Sequence, residues 1–340
     1  MWILDAGMIT AVGHNGPASA AALRAGIVRF REIPFHDLEG TQIIGAPVTC
    51  SAEGYVGMSR QVILACTVIR ECLDRQSAVA PRNTLLLLGI AEPGRAGRPA
   101  GMEQRMLPAM EELLACRFHP RSRTLPLGRS SGLAALALAR AALQDRSALH
   151  VLVVAVDSYL NQHDLKAIDE IRRLRTASNS DGIIPGEAAA AVLLAGARPK
   201  ISGPAARVLG VGQAQEPSPV LSGRPTRADG LVEAIRHSLD EARLSMSDIW
   251  FRLADISGER YGFFEQASAI ARLVRTRRED IPLWLPAESI GEIGAAMGPC
   301  LLGMFFYACR RRYTRGPIAL ACTSSDSGLR AASVLQLQEE

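Results

Sequence analysis

The chain has few aromatic side chains and no long uninterrupted hydrophobic run. Phe, Trp and Tyr make up 5% of its 340 residues, which disfavours an aromatic-rich binding surface. Its apolar stretches are shorter than the roughly 18 residues that a membrane-spanning helix needs, and no basic-plus-apolar signal peptide opens the sequence. We therefore expect a cytoplasmic protein that does not enter a membrane.

Patterns that bind metals or form disulfide frameworks are also missing. The sequence has six dispersed histidines and an odd number of cysteines, seven, with no Cys-Xaa-Xaa-Cys pair. The cysteines lie mostly within apolar runs, at Cys50, Cys66, Cys72, Cys116, Cys300, Cys309 and Cys322. We expect no metal site, no disulfide framework and no cofactor.

The charge pattern does not indicate nucleic-acid binding. The formal net charge is +4, and no basic stripe is interleaved with aromatic residues, as a nucleic-acid surface would require. Short basic clusters occur, for example at 117–123, 275–278 and 310–312. We interpret them as solvated helix faces and helix C-termini, which favour cations.

The rest of the sequence alternates apolar strand patterns with helical patterns. Residues 151–156 and 188–194 are continuous apolar runs typical of buried strands, whereas 132–144 and 294–310 have the length and apolar content of core helices. This alternation predicts α/β layers with a mostly parallel sheet. A similar order of elements recurs after residues 195–202, so we expect two related halves, 1–198 and 199–340.

Four groups of residues, in order along the chain, carry a family pattern. They are Ile-Thr-Ala-Val-Gly at 9–13, Gly-Arg-Ser-Ser-Gly at 128–132, Asp-Gly-Ile-Ile-Pro-Gly-Glu-Ala-Ala at 181–189, and Gly-Glu-Ile-Gly-Ala-Ala at 291–296 with the serine-rich 323–328. Together they resemble the β-ketoacyl synthase branch of the thiolase superfamily. The resemblance implies a thiolase-like fold of duplicated βαβ halves in a five-layered α/β/α/β/α sandwich. It also implies a dimer through a central strand, which we assign to 151–156.

The resemblance fails where synthases place their catalytic residues. Arg129, in the group at 128–132, stands at the position of the nucleophilic cysteine, and Glu292, in the group at 291–296, stands at the position of one histidine. The other histidine position corresponds to Ser257, in the stretch Asp-Ile-Ser-Gly-Glu at 255–259. Synthase chemistry needs a thiolate and two supporting imidazoles, or a histidine and an asparagine. We therefore predict a pseudoenzyme, in which Arg129 and Glu292 form an ion pair, less than about 6 Å apart, inside the ancestral cavity.

Other residues could line that cavity, and each has a structural alternative. Ser130 is a possible replacement nucleophile, but capping or packing of the following helix is the better interpretation. Cys322 is interpreted as a small apolar filler rather than a catalytic thiol, and Ser325 is a further candidate for the cavity wall. Two further sets remain open: Asp255 and Glu259 as a catalytic or a salt-bridged pair, and the aromatic segment 261–264 as core or as a partner-binding patch.

The resemblance implies a function through binding. Degenerate synthase-like proteins resemble either the chain-length partner of a heterodimeric polyketide synthase or the thiolase-like accessory protein encoded with contact-dependent secretion effectors in bacteria. The segments 30–32 and 257–261 are more similar to the second kind. We therefore predict an accessory factor, homodimeric or heterodimeric, that binds a protein partner (an effector or an acyl carrier protein) or an acyl ligand. The alternative is an acyltransferase of the β-ketoacyl synthase type with a relocated nucleophile, Cys322 or Ser130.

Overall fold

The structure is a computed structural model and describes residues 1–49, 52–199, 203–275 and 280–339. Three features of the sequence lie outside these ranges: Cys50, residues 276–278 of one basic cluster, and residues 200–202 of the expected junction between the halves. No helix in the described part of the chain is long and apolar enough to cross a membrane.

The described residues form twelve strands and nine helices. The strands are β1 (Trp2–Ile9), β2 (Arg31–His36), β3 (Gln42–Gly45), β4 (Thr84–Gly89), β5 (Arg123–Leu125), β6 (His150–Ser158), β7 (Glu187–Ala195), β8 (Ala205–Gln215), β9 (Phe251–Ala254), β10 (Leu283–Trp284), β11 (Ile318–Ser324) and β12 (Leu329–Gln338). The helices are α1 (Gly16–Arg24), α2 (Gly57–Arg75), α3 (Met102–Leu114), α4 (Ser131–Gln144), α5 (Gln162–Glu170), α6 (Asp229–Ala242), α7 (Arg260–Leu273), α8 (Ala287–Ile290) and α9 (Met297–Arg310).

Ten strands form two sets of five with the same internal order. The first set runs β5-β4-β6-β7-β1 and the second runs β10-β9-β11-β12-β8. When the five strands of each set are numbered by their order in the chain, both sets read three, two, four, five, one across the sheet. The two sets are joined through β1 and β8, which pair only at Trp2 and Ile3. The remaining two strands, β2 and β3, form a separate hairpin.

The prediction of a mostly parallel sheet is wrong. Strands β4, β5 and β6 are parallel, as are β9, β10 and β11, but β7, β1, β12 and β8 join their neighbours in antiparallel register. A continuous apolar run shows that a strand is buried on both faces, and this burial is typical of parallel sheets without requiring them. Here β7 and β12 are covered on both faces by helices although they run antiparallel.

Helices cover both faces of each set, which makes the five layers expected from the sequence. Helices α4 and α9 lie between the two sets, α2 and α3 cover the outer face of the first, and α6 and α7 cover the outer face of the second. Strand β6 shows this in its side chains: Val151 and Val153 join the central core, whereas Leu152 and Val154 join the outer one. The α/β/α/β/α fold class is confirmed.

The two central helices cross where both have a glycine. A Cβ atom on Gly132 of α4 would lie 2.2 Å from Cδ of Pro299, and one on Gly298 of α9 would lie 2.9 Å from the Gly132 Cα. Real Cβ atoms do not come this close, so the backbones approach each other only because both side chains are absent. The crossing brings the N-terminal ends of α4 and α9 together.

The assignment of residues 151–156 as a dimer strand is wrong for a geometric reason. These residues belong to β6, which lies between β4 and β7 and forms a ladder with each. Its backbone groups are therefore already paired on both sides, and no second chain has access to them. Among the described strands, the ten-stranded sheet has its free edges at β5 and β10.

Candidate functional site

The candidate site lies where the N-terminal ends of α4 and α9 meet the loops after β9 and β11. Arg129 is in a single helical turn just before α4, and Glu292 precedes α9. Ser257 follows β9, and Asp326 is in the turn between β11 and β12. Residues from both halves of the chain thus form one cluster.

The turn before α4 is shaped to present Arg129 inward. Gly128 has a φ angle of +57°, in the left-handed region that glycine tolerates. A Cβ atom at this position would lie 2.2 Å from Oε1 of Glu92. The same Glu92 carboxylate accepts the backbone N–H groups of Asp326 at 3.1 Å and Ser327 at 2.9 Å. Glu92 therefore fastens the β11–β12 turn against the turn that carries Arg129.

Arg129 is buried and has two carboxylate partners. Its Nη1 lies 3.2 Å from Oε2 of Glu292, and its Nη2 bonds to Oδ1 of Asp326. Burial opposes the charge, but these carboxylates outweigh that effect and raise the pKa of Arg129 well above its usual value. The predicted ion pair with Glu292 is confirmed. A cation near a helix N-terminus is unfavourable, and here the two carboxylates balance it.

A second buried arginine extends the cluster. Arg173 Nη1 lies 2.7 Å from Oδ2 of Asp326, so Asp326 bridges Arg129 and Arg173. Despite burial, the two guanidinium groups hold the pKa of the Asp326 carboxyl well below its usual range. Arg173 also makes a two-point contact with Glu259, at 2.6 and 2.8 Å. Of the two interpretations of Glu259, the structure therefore shows a salt bridge.

Both carboxylate oxygens of Glu292 are occupied. Ser257 Oγ donates a hydrogen bond to Oε2 at 2.6 Å, and the backbone N–H of Gly294 donates to Oε1 at 2.8 Å. A second carboxylate, Asp157 at the end of β6, accepts the N–H of Ala295 at 2.9 Å and is held by Arg95. Two carboxylates thus satisfy backbone donors at the start of α9, where negative charge is stabilised.

Asp255 is separate from this chain of ion pairs. It is buried, and burial raises the pKa of its carboxyl to about 7, although the charge of Arg129 acts in the opposite direction. Its Oδ2 accepts the backbone N–H of Ser324 at 2.6 Å. Asp255 and Glu259 thus have different partners, so the structure does not arrange them as a shared acid–base pair.

The predicted serine candidates are engaged with backbone groups. Ser130 Oγ donates to the carbonyl oxygens of Leu329 at 3.0 Å and Thr323 at 3.2 Å, and it does not cap α4. Its backbone N–H donates to Ser325 Oγ at 3.0 Å, and that hydroxyl donates to the Leu127 carbonyl at 2.5 Å. Of the two structural interpretations, capping is therefore wrong and packing is confirmed, because Ser130 is fully buried and its hydroxyl bonds to the strands that flank the β11–β12 turn.

Cys322 does not face the site. It is buried in the outer core between β11 and helices α6 and α7, and burial raises the pKa of its thiol to about 12. Its position follows from the alternation of β11: Ala321 joins the central core, whereas Cys322 points to the opposite face of the sheet. The structure therefore places this predicted cavity residue outside the cavity.

The space left beside Arg129 is small. A cavity of about 20 Å³ is lined by Arg129, Ser257 and Ser325 and also by Asp255 and Asp326, among other residues. Room for one water molecule requires at least about 10–15 Å³, so this cavity has space for about one water. Ligand pockets measure roughly 300–1,000 Å³, and the cavity in this conformation is far below that range. No group of residues that could hold a metal ion occurs in the described part of the chain.

Beside the cavity, the structure shows one ion pair that the sequence did not predict and two aromatic side chains that differ from one of the interpretations above. Arg330 and Glu265 form a fully buried ion pair at 2.8 Å, which joins β12 to α7. In the aromatic segment 261–264, Phe263 and Phe264 are 47% and 58% exposed, so the interpretation of these two rings as core is wrong. By contrast, Glu187 of the 181–189 segment is buried and bound to Arg60 at 2.6 Å, so it has a structural partner.

Comparisons with known proteins agree with this architecture. The family profile described as beta-ketoacyl synthase, N-terminal domain, matches residues 123–199. No curated protein matches the chain by sequence. A structure of the ketosynthase ApeO in complex with its chain length factor ApeC from Xenorhabdus doucetiae has a chain with a TM-score of 0.78 and 16% identity, covering 99% of this chain and 98% of that one.

Two further solved structures are similar over nearly their whole length. The ishigamide ketosynthase/chain length factor has a TM-score of 0.72 and 19% identity, with 99% of both chains covered. A type II PKS acyl-carrier protein in complex with its ketosynthase, AntDE:AntF, has a TM-score of 0.80 and 13% identity, with 98% of both chains covered. The chain described here therefore has the thiolase-like fold of the ketosynthases.

Proposed function

We propose that this protein is a non-catalytic ketosynthase-like subunit that acts by binding a protein partner. The observation that carries the proposal is the Arg129 ion-pair cluster. The position that resembles the synthase nucleophile is occupied by a buried guanidinium, and both of its carboxylate partners come from the opposite half of the chain.

The chemistry of the site supports the absence of a covalent acyl step. Acyl transfer requires a nucleophile that substrate can reach and that is activated by a base or by a lowered pKa. Arg129 remains protonated, Ser130 donates its hydroxyl proton to backbone carbonyls, and Cys322 is buried with a raised pKa. No histidine lines the cavity among the described residues, so these serines have no imidazole base there.

The comparisons support a role in a protein complex. Two of the similar structures are ketosynthases together with a chain length factor, and one is a ketosynthase with its acyl-carrier protein. The partner of a catalytic ketosynthase therefore fits as well as the accessory role at effector loci suggested by segments 30–32 and 257–261. We take the first as the leading partner class because one chain in each of these complexes matches this chain along nearly its full length.

The edge strand β5 is the proposed contact for assembly. It is short, it pairs with β4 alone among the described strands, and it is followed directly by the turn that carries Arg129. A sheet edge with unpaired backbone groups is a template for pairing with another chain. Pairing there, with a second copy or with a related subunit, would place the partner close to the Arg129 cluster.

Co-expression with the products of neighbouring genes tests the proposal. We expect a stable complex with a ketosynthase or an effector. Where the partner is a ketosynthase, we expect condensation activity that requires the partner's own nucleophile. A control complex would contain the partner with its nucleophile replaced, and we expect it to assemble but to be inactive. Condensation of acyl and malonyl donors by the purified chain alone would overturn the proposal.

A further inference from the structure

At the opposite end of α9 from the Arg129 cluster, the structure has a second, larger concave surface. It is bounded by the C-terminal end of α1, the segment 283–289 and the residues that follow α9. A helix of fourteen residues such as α9 is about 20 Å long, so this surface is separate from the cavity described above. We call it the basic groove.

The basic groove consists of two adjoining cavities. Their volumes are about 620 and about 470 Å³. Both are lined by Ala20, Arg24 and Tyr313. The guanidinium of Arg24 stacks over the Tyr313 ring at 4.4 Å, so this pair lies between the two cavities. The result is an elongated groove rather than one round pocket.

Its rim is strongly positive. The two cavities are lined by four arginines, Arg24, Arg311, Arg312 and Arg315, whereas Glu288 is the only acidic residue among the lining residues. Within the described part of the chain, none of these four guanidinium groups forms a salt bridge. The buried arginines behave differently, since Arg129, Arg173 and Arg330 each have a carboxylate partner.

The floor of the groove is apolar. Leu23, Met304 and Leu283 line it, together with Leu285 and Pro286. Of the aromatic side chains here, Trp284 packs against Phe251 with 4.7 Å between the ring centroids, and the Arg24 guanidinium covers one face of Tyr313. Single-stranded nucleic acids bind by stacking bases on free aromatic faces, so this groove favours a different anionic ligand.

We propose that the basic groove binds an extended acidic peptide segment with interspersed apolar side chains. The carboxylates would pair with the four rim arginines, and the apolar side chains would lie on the floor of the groove. Charge complementarity of this kind mainly determines specificity and the rate of association. The proposal rests on the proposed function only in that a partner protein would supply the segment, and the groove is tested without that partner.

Fluorescence anisotropy with synthetic probes tests this proposal. The probe is a fluorescein-labelled peptide of about ten residues that alternates Asp or Glu with Leu or Val. One counter-probe has Lys in place of each acidic residue, and another is an oligothymidylate of similar charge. We expect saturable binding of the acidic peptide only, weakened at about 0.5 M NaCl because salt screens exposed charges.

Two pairs of variants connect the binding to the groove. Arg24→Gln with Arg315→Gln removes two rim charges, whereas Arg224→Gln with Arg236→Gln removes two exposed charges on the second half of the chain. We expect at least tenfold weaker binding in the first pair and unchanged binding in the second. Circular dichroism shows whether each variant is folded, and an Arg315→Gln single variant replaces the pair if Arg24→Gln does not fold.

Three outcomes would overturn the proposal: no binding of the acidic peptide, equal weakening by both pairs of variants, or equal binding of the oligothymidylate. The last would identify a general polyanion surface. Each of these outcomes leaves the proposed non-catalytic function unaffected, because that function is tested by the activity of the chain alone and by assembly with its partner.

Discussion

Arg129 and Glu292 are 163 residues apart in the chain, and their side chains meet at 3.2 Å. The contact joins the turn before α4 to the turn before α9, and therefore the first half of the fold to the second. Since Ser257 and Gly294 also donate to Glu292, both oxygens of its carboxylate are bonded. In the proposed function, this pair replaces the catalytic groups of a synthase.

Removal of the cation should destabilise the protein. Arg129→Gln would leave Glu292 and Asp326 buried with one fewer counter-ion, and breaking a buried pair from one side costs about 3–5 kcal/mol. Urea unfolding followed by circular dichroism measures the free energy of unfolding. The control is Arg236→Gln, which removes an exposed arginine on α6 and should change it by less than about 0.5 kcal/mol. An equal effect of the two substitutions would contradict the role given to Arg129.

The pair can be tested further by a double-mutant cycle. If Arg129 and Glu292 act together, the loss in the double variant Arg129→Gln with Glu292→Gln should be smaller than the sum of the two single losses, by about 0.5–3 kcal/mol. Additive losses would show that the two side chains contribute independently, despite their distance of 3.2 Å.

The buried carboxyl of Asp255 should make stability depend on pH. Burial raises its pKa to about 7 from the usual 3.8, so the native state keeps a proton that the unfolded chain releases. The contribution of Asp255 to the free energy of unfolding is therefore greatest below about pH 4. It decreases as the pH rises to about 7 and is constant above that pH. Each pKa unit corresponds to about 1.4 kcal/mol, so the loss should amount to a few kcal/mol.

Asp255→Asn isolates this contribution. The amide oxygen still accepts the Ser324 N–H, but the variant has no proton to lose. Its free energy of unfolding, relative to that of the wild type, should therefore increase from about pH 5 to about pH 8. Urea unfolding at both pH values measures the difference, and comparison with the wild type removes the contributions of other carboxyls. A difference that does not change with pH would show that Asp255 is already ionised in the native state at pH 5.

The cysteines should differ in reactivity according to burial. Cys116 is half-buried, whereas Cys66, Cys72, Cys300, Cys309 and Cys322 are buried, and burial raises the pKa of each of these thiols. In a Cys50→Ala variant, iodoacetamide at neutral pH should label Cys116 first and the buried cysteines only after unfolding. Peptide mass spectrometry identifies the sites. Rapid labelling of native Cys322 would favour the relocated-nucleophile alternative.

The edge strand β5 should become protected when the protein assembles. Because β5 is at the edge of the sheet and has β4 as its one partner among the described strands, hydrogen–deuterium exchange of a peptide spanning 121–127 should slow at high protein concentration or when a partner is added. The same measurement on β6, which is paired on both sides, should show no change. If sedimentation detects a dimer while the exchange of 121–127 stays constant, the contact lies elsewhere.

Much of the fold could be predicted because its signals are local. The runs of β6 and β7 and the apolar helix α9 each record burial within a few consecutive residues, and the ordered family segments predict how these elements assemble. Strand direction has no such signal, and the antiparallel return of β7 and β12 was missed for that reason. Helices α3 and α5 were also missed: α3 contains Pro108, which disfavours a helix interior.

The site could be predicted only where a motif pointed to it. Arg129, Ser257 and Glu292 were found because each occupies a position of the family pattern, and opposite charges implied the ion pair. Asp326 and Arg173 were not found, because their contact joins residues 153 positions apart without any motif around Arg173. Cys322 was misplaced since the side-chain alternation of β11 depends on its register with β9 and β12.

The central claim is that the chain forms no acyl-enzyme, and the mass of the intact protein tests it most directly. The purified protein is incubated with acyl-coenzyme A and acyl-carrier-protein donors and measured beside an active ketosynthase as a positive control. The account predicts an unchanged mass with every donor while the control gains one acyl group. A stoichiometric adduct that disappears in Ser130→Ala or Cys322→Ala would contradict it and identify the nucleophile.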